Sequence, residues 1–307
     1  MIAGVDIGGT KIALGLVNDA GKVVTRFDIP VDVDRGPANA RDGMLKVMRQ
    51  LKSDGGFTGI GIGCTGPTDP ITGELGDVNT LPGWQGWNPV EELADAFRGR
   101  VALENDADAA ALGEARWGAG KGKRSLIGLT VGTGIGAGII LNGNIYRGAG
   151  NSHPEIGHHI VEPAGPLCTC GAIGCWESLA AGPAIEQWFV EQNPDSTART
   201  CKEICMMARA GDAAAQRAVD RLAMYLGIGM SNVIHMLMPE VIALSGSVMQ
   251  SADLLLDKMR AIVRNNCRVV PSGFCEITLS SLGANAGLIG AAEVWHSRFE
   301  HSLEEKQ

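Results

Sequence analysis

The stretch from His153 to Glu177 reads HPEIGHHIVEPAGPLCTCGAIGCWE and concentrates most of the chain's capacity for chemistry. Cys168, Cys170 and Cys175 fall within eight residues, and His158 lies ten positions before the first of them. One imidazole and three thiolates complete a tetrahedral Zn²⁺ shell with no open position, as in structural metal sites. Gly165, Pro166, Gly171 and Gly174 supply the tight loops that wrapping a metal needs. The alternative is three unrelated thiols, since isolated cysteines are usually core residues; interleaved glycine and a preceding histidine argue against it. His153 and His159 compete with His158 as the fourth ligand, and spacing does not separate them. A closed shell leaves no place for a reacting water, so the metal's expected work is to pin the loops that carry Glu155 and Glu177.

Two glycine-rich hairpins are the next chemical signal. MIAGVDIGGTKIALGLV, at 1–17, reads as strand, glycine loop, strand. Its Gly8, Gly9, Thr10 and Lys11 can offer backbone N–H groups, a hydroxyl and an ammonium to phosphate. Asp6, at the strand's end, suits a metal-bound water in a Mg-nucleotide site; an ordinary hairpin with an aspartate nearby is the competing reading. LIGLTVGTGIGAGIIL, at 126–141, repeats the design, with Gly132, Thr133 and Gly134 at its turn. The first hairpin is not a P-loop, which needs a lysine followed by Ser or Thr after a longer glycine loop and then a helix; the second is not a dinucleotide fingerprint, because its spacing does not fit and no helix signal follows. Two hairpins of one design suggest an internal duplication, each half contributing one phosphate loop. In VALENDADAAALGEAR, Asn105 and Asp106 sit where a strand gives way to an alanine-rich helix. Ligands collect at such carboxyl ends of strands in open α/β sheets, so Asp106 is a candidate general base and Asn105 a candidate holder of a substrate hydroxyl. Both residue types are equally at home as an N-cap.

The positioning elements follow from periodicity and punctuation. Helical spacing runs through Met44, Val47, Met48 and Leu51, and GIGIGCTGP is a buried strand entering a Gly-Pro turn. Gly66 in that turn, and Asn79 at the head of NTLPGWQGWN, are further substrate-side candidates. Trp84 and Trp87 on the latter loop either stack on a sugar ring or cover the core. Pro89 to Phe97 is a short helix with Asn88 as N-cap and Pro89 at its first position. Helix continues from Pro183, and Cys201 and Cys205, one turn apart, read as core thiols. Ala213 to Leu237 reads as two helices meeting near Gly227. VIALSGS is a strand whose Gly246 permits either close approach to an adenosine or a plain turn. A final helix opens after Asn285.

Composition bounds the class. The chain has 307 residues, 45% hydrophobic and 20% charged, ordinary for a globular protein of one large or two smaller domains. A net charge of −8 disfavours a nucleic-acid partner. No signal peptide or membrane span is legible, so a cytoplasmic setting with reduced cysteines is expected. The 43 glycines are about twice the usual ~7% share and cluster where backbone must approach a ligand.

DIGGTK at 6–11, ENDADAAA at 104–111, TVGTGIGAG at 130–138, HPEIGH at 153–158 and CTCGAIGCWE at 168–177 together resemble the ROK family of bacterial sugar kinases, over about residues 2–293. The resemblance implies an α/β, actin-like ATPase (ribonuclease H-like) fold with two lobes around a central cleft. Its expected lobes are 1–117 with about 292–307, and 118–291. It implies ATP with Mg²⁺, structural Zn²⁺, transfer of a phosphoryl group to a hexose 6-hydroxyl, and a homodimer or homotetramer. Asp106 then matches the catalytic base, with Asn105, Glu155, His158 and Glu177 on the sugar. Gly9, Thr10, Lys11, Gly132, Thr133 and Gly134 match the phosphate loops. His158 doubles as zinc ligand beside Cys168, Cys170 and Cys175. Two positions depart from the family pattern: Ser245-Gly246-Ser247 replaces consecutive glycines, and Asn285 replaces a common acid. Glucose is the leading sugar, followed by fructose, mannose, N-acetylglucosamine and N-acetylmannosamine. A family repressor would carry an N-terminal helix-turn-helix, whereas here Met1 leads straight into a strand. A sugar sensor would lack Asp106 or the phosphate loops.

Overall fold

The computed structural model describes residues 1–78 and 80–300; Asn79 lies outside the described residues. Two compact units share the chain. One takes Met1–Arg124, Gly138–His153 and the segment from Ser281; the other takes Ser125–Ala137 and Pro154–Ser280.

The first unit is built on the strands Ile2–Ile7 (β1), Lys11–Val17 (β2), Val23–Pro30 (β3), Gly59–Cys64 (β4) and Arg100–Asn105 (β5), in the order β3-β2-β1-β4-β5. β1 to β3 form antiparallel pairs, and β1, β4 and β5 run parallel with Ile7, Cys64 and Asn105 abreast. The helices are Gly36–Asp54 (α1), Pro89–Phe97 (α2), Asp106–Trp117 (α3) and Ala286–Phe299 (α9, numbered from its place in the chain). Strand alternation divides the sheet's two faces. Ala3, Val5, Ile7, Ile60, Ile62 and Cys64 meet Met44, Met48 and Leu51 of α1 in one buried core. The alternate positions of β4 are glycines because helices lie against them, α9 on Gly59 and Gly61 and α3 on Gly63: a Cβ on Gly61 would sit 1.7 Å from the Ala291 carbonyl oxygen. The Gly61→Ala protein must therefore push α9 off the sheet. A loss of about 3 kcal/mol is expected in denaturant unfolding, and an unchanged midpoint would refute this account of the glycine strand.

The second sheet has the order β10-β9-β6-β7-β8, from Leu126–Val131 (β6), Ile135–Leu141 (β7), Asn144–Ile145 (β8), Val241–Ser245 (β9) and Glu276–Leu279 (β10). Read from the other edge it is 8-7-6-9-10, the order of the first sheet, as the repeated hairpin suggested. In the second unit it is joined by Trp176–Ala180 (α4), Gly182–Gln192 (α5), Cys201–Arg209 (α6), Ala213–Leu237 (α7) and Ala252–Asn266 (α8). The expected break at Gly227 does not occur: α7 is one helix of 25 residues. Its glycines are packing devices, since a Cβ on Gly227 would strike the Ile262 side chain and one on Gly229 the Trp176 indole at 2.0 Å. Cys205 is buried in this unit's core and Cys201 half-buried beside it. No described helix is long and apolar enough to cross a membrane.

Candidate active site

In the first unit the carboxyl ends of β1, β4 and β5 gather the candidate groups. Asn105 caps α3, its side-chain oxygen accepting from the N–H groups of Ala107 and Asp108. Its amide donates to the Gly66 carbonyl at 3.1 Å, which ties the Gly-Pro turn to the same spot. The N-cap reading of Asn105 holds, and capping uses only its oxygen. Asp106 opens α3 and accepts from the Ala107 N–H at 2.8 Å. Burial raises its pKa, against the opposing pull of that N–H and of His153. Asp6 on β1 is pushed up to about 6, first by burial and then by the neighbouring Asp106 charge, despite Lys11 and Arg26. The start of α9 presses on this carboxyl, as a Cβ on Gly287 would lie 2.1 Å from Asp6 Oδ2. Two partly desolvated carboxyls are a hard oxygen donor set of the kind Mg²⁺ takes, and a cation would relieve their repulsion.

The burial of Asp6 beside Asp106 has a measurable consequence. Between pH 4 and 6 the folded chain holds a proton on Asp6 that the unfolded chain has released, so stability falls as pH rises through this window. The Asp6→Asn protein should lose this fall and, without cation, be more stable at pH 7 by up to about 3 kcal/mol. Parallel denaturant titrations at pH 4 and pH 7 check it; equal gains at both would remove the carboxyl as the cause.

The Gly8–Lys11 turn lies between β1 and β2, closed by a Gly8 N–H to Lys11 carbonyl bond of 3.0 Å, with Gly9 half-buried and Thr10 and Lys11 exposed. Lys11 has Asp28 at 3.9 Å. Trp84 and Trp87 go to the core, edge to face at 5.2 Å, with Trp84 wholly buried; they are not a sugar platform.

The second unit assembles its own group. The turn of Gly132, Thr133 and Gly134 receives the Gly182 N–H on the Gly132 carbonyl at 2.7 Å. Glu177 on α4 accepts from the Ile135 N–H at 2.9 Å, and a Cβ on Gly134 would meet its Oε2 at 2.5 Å. A cavity of about 390 Å³ is lined by Gly132, Thr133, Gly182, Lys202, Ser247 and others. Lys202 carries no signal in the sequence and is brought to the Gly132 turn only by this shared lining. Gly246 is explained by the turn itself, with φ +98° and the Val131 carbonyl 2.2 Å from a Cβ position.

His158, Cys168, Cys170 and Cys175 bring one ligand atom each to within 4.8 Å of one another. Cys168 Sγ is 3.6 Å from His158 Nδ1, and Cys170 Sγ is 3.6 Å from Cys175 Sγ. A tetrahedron of Zn–S bonds of about 2.3 Å has edges of about 3.8 Å, so the donor set fits a zinc-sized ion. The competing histidines are engaged elsewhere. His153 Nδ1 meets Asp108 Oδ2 at 2.7 Å, and His159 Nδ1 meets the Ile156 carbonyl at 2.6 Å, with its ring against Trp176. Glu155 stands exposed one turn before His158, its carbonyl accepting the His158 N–H at 3.1 Å.

The family model described as "ROK family" matches residues 2–298. The chain belongs to the ROK family. The glucokinase of Thermotoga maritima is 31% identical over 97% of this chain and 98% of its own length. Among solved structures, the ROK hexokinase of Thermus thermophilus superposes with a TM-score of 0.84, 32% identity and 99% coverage of each chain. A ROK family glucokinase from Streptomyces griseus, solved with glucose and AMPPNP, gives a TM-score of 0.77 at 30% identity, covering 95% of this chain and 98% of its own. The fold of this ROK chain is accordingly the actin-like ATPase fold, carried by its two five-stranded sheets.

Proposed function

We propose that this ROK protein is an ATP-dependent hexose kinase of the glucokinase type, passing the γ-phosphoryl group of ATP to the 6-hydroxyl of glucose. The observation that carries the reading is the β5–α3 joint, where Asp106 sits with Asn105 and Asp6 at the carboxyl ends of parallel strands. Phosphoryl transfer asks little covalent work of a protein; positioning and charge neutralisation dominate. Asp106 accepts the proton of the attacking hydroxyl and Asn105 orients the sugar. Glu155, His158, Glu177, Gly66 and Asn79 complete the sugar contacts. Backbone N–H groups at Gly9, Thr10, Thr133 and Gly134 donate to phosphate oxygens, Gly8 and Gly132 close the two turns that present them, Lys11 adds positive charge and the Gly246 turn takes the adenosine. Mg²⁺, held through Asp6, supplies charge neutralisation on the phosphates. Zn²⁺ on His158, Cys168, Cys170 and Cys175 fixes the loop between Glu155 and Glu177. The likeness to relatives named glucokinase, one of them solved with glucose and AMPPNP, supports this sugar over fructose and the N-acetylhexosamines.

The deciding experiment is a coupled ADP-release assay with ATP and Mg²⁺ across glucose, fructose, mannose, N-acetylglucosamine and N-acetylmannosamine. Glucose-dependent ADP release with the highest kcat/KM of the set is expected. A higher kcat/KM on another sugar would move the substrate and keep the reaction. Sugar binding with no ADP release on any of them would make the protein a sensor and overturn the kinase reading.

A further inference from the structure

The joint that carries Asn105 and Asp106 is flanked by two buried acids, Glu104 at the end of β5 and Asp108 in the first turn of α3. Asp108 is wholly buried and Glu104 nearly so. Each would be costly as an uncompensated charge. One side chain answers both: Arg147 Nη1 donates to Asp108 Oδ2, and Nη2 lies in ion-pair contact with Glu104 Oε1. The same Asp108 oxygen meets His153 Nδ1 at 2.7 Å, and the same Glu104 oxygen accepts the Asn105 N–H at 3.0 Å. The other Asp108 oxygen is buried with no hydrogen-bond partner among the described residues, so the carboxylate is held through Oδ2, by Arg147 and His153. Arg147 is itself only 13% exposed and reaches this point from 39 residues along the chain.

We infer that Arg147 is a positioning residue of the reaction, a clamp across the β5–α3 joint that holds the base at Asp106 in register without touching substrate. This rests on the kinase reading. The physical ground is leverage. Glu104 and Asp108 lie two residues either side of Asp106, so a rigid planar fork on both fixes where the strand stops and the helix begins. A lysine, with a compact head and freely turning donors, keeps the positive charge but not the planar two-point grip. A shift of the base by as little as 1 Å costs as much as 10²-fold in rate.

The test compares wild type, Arg147→Lys and Asp106→Asn in the ADP-release assay, with thermal unfolding of each. In Arg147→Lys, kcat should fall about 10- to 100-fold with both KM values within about threefold of wild type. A merely structural clamp would lower Tm and the active fraction, leaving kcat per folded molecule unchanged, and that result would overturn the inference. Because Arg147→Lys can itself fold poorly, Asp108→Asn with Arg147 intact is the second variant. It keeps shape and loses one charge–charge contact, and it should give a smaller kcat loss with the same KM pattern; wild-type kcat in this variant would also overturn the clamp. A wild type inactive on every hexose removes the kinase reading and the inference with it. A wild type that is active, with Asp106→Asn dead and Arg147→Lys fully active, removes the inference alone.

Discussion

The Asp106→Asn protein is expected to lose turnover by about 10²- to 10⁴-fold, the contribution of a well-placed general base. Asparagine keeps the side-chain oxygen that accepts the Ala107 N–H, so the start of α3 is preserved and the loss reports on proton acceptance. Sugar affinity, measured by calorimetry without nucleotide, should stay within a few-fold, because the hydroxyl can still donate to or accept from the amide. Removing a carboxylate also relieves Asp6 of the like charge of Asp106, so the variant should be at least as stable as wild type near neutral pH. Near-normal kcat in Asp106→Asn would take the base away from this residue, and the mechanism would have no base.

The second large effect is expected from the metal ligands. Cys168→Ser replaces a thiolate by a hydroxyl that binds zinc poorly and opens one corner of a shell whose ligand atoms lie within 4.8 Å. Zinc measured on the purified protein should drop from about one per chain to a small fraction of that. Tm should fall by about 10 °C, as for a loss of several kcal/mol in a domain of this size. Sugar binding should weaken in step, because His158 is both a metal ligand and a proposed sugar contact. Wild-type protein that carries no zinc, or a Cys168→Ser variant with unchanged Tm, would show the four residues to be a bare thiol cluster.

What the sequence disclosed, and what it hid, follows the range of the forces involved. The glycine hairpins, the Asn88 and Asn105 caps and the start of α3 are local, decided by residues within one turn of one another, and all stand as read. The repeated hairpin gave away the repeated sheet order because a duplicated motif is itself a short-range signal. Questions that spacing left open were settled by distant partners. His153 is turned from metal candidate to Asp108 partner by a contact spanning 45 residues, and Trp84 is drawn into the core rather than toward sugar. The absent break in α7 has the same origin: Gly227 looks like helix punctuation until Ile262 is seen lying on it. Arg147 carried no signal at all, since an arginine's partners are unknowable from its neighbours.

Trp176 gives the thiol loop a mechanical property of its own. It follows Cys175 directly, donates its indole N–H to the Tyr225 carbonyl at 2.9 Å, and lies flush on Gly229 of α7. A loop anchored in this way has no independent fraying mode: to peel open it must first extract an indole from the helical interior. Its slowest amides should therefore exchange with deuterium at the rate of whole-unit unfolding, and a protease should nick it no sooner than the long helix beneath it.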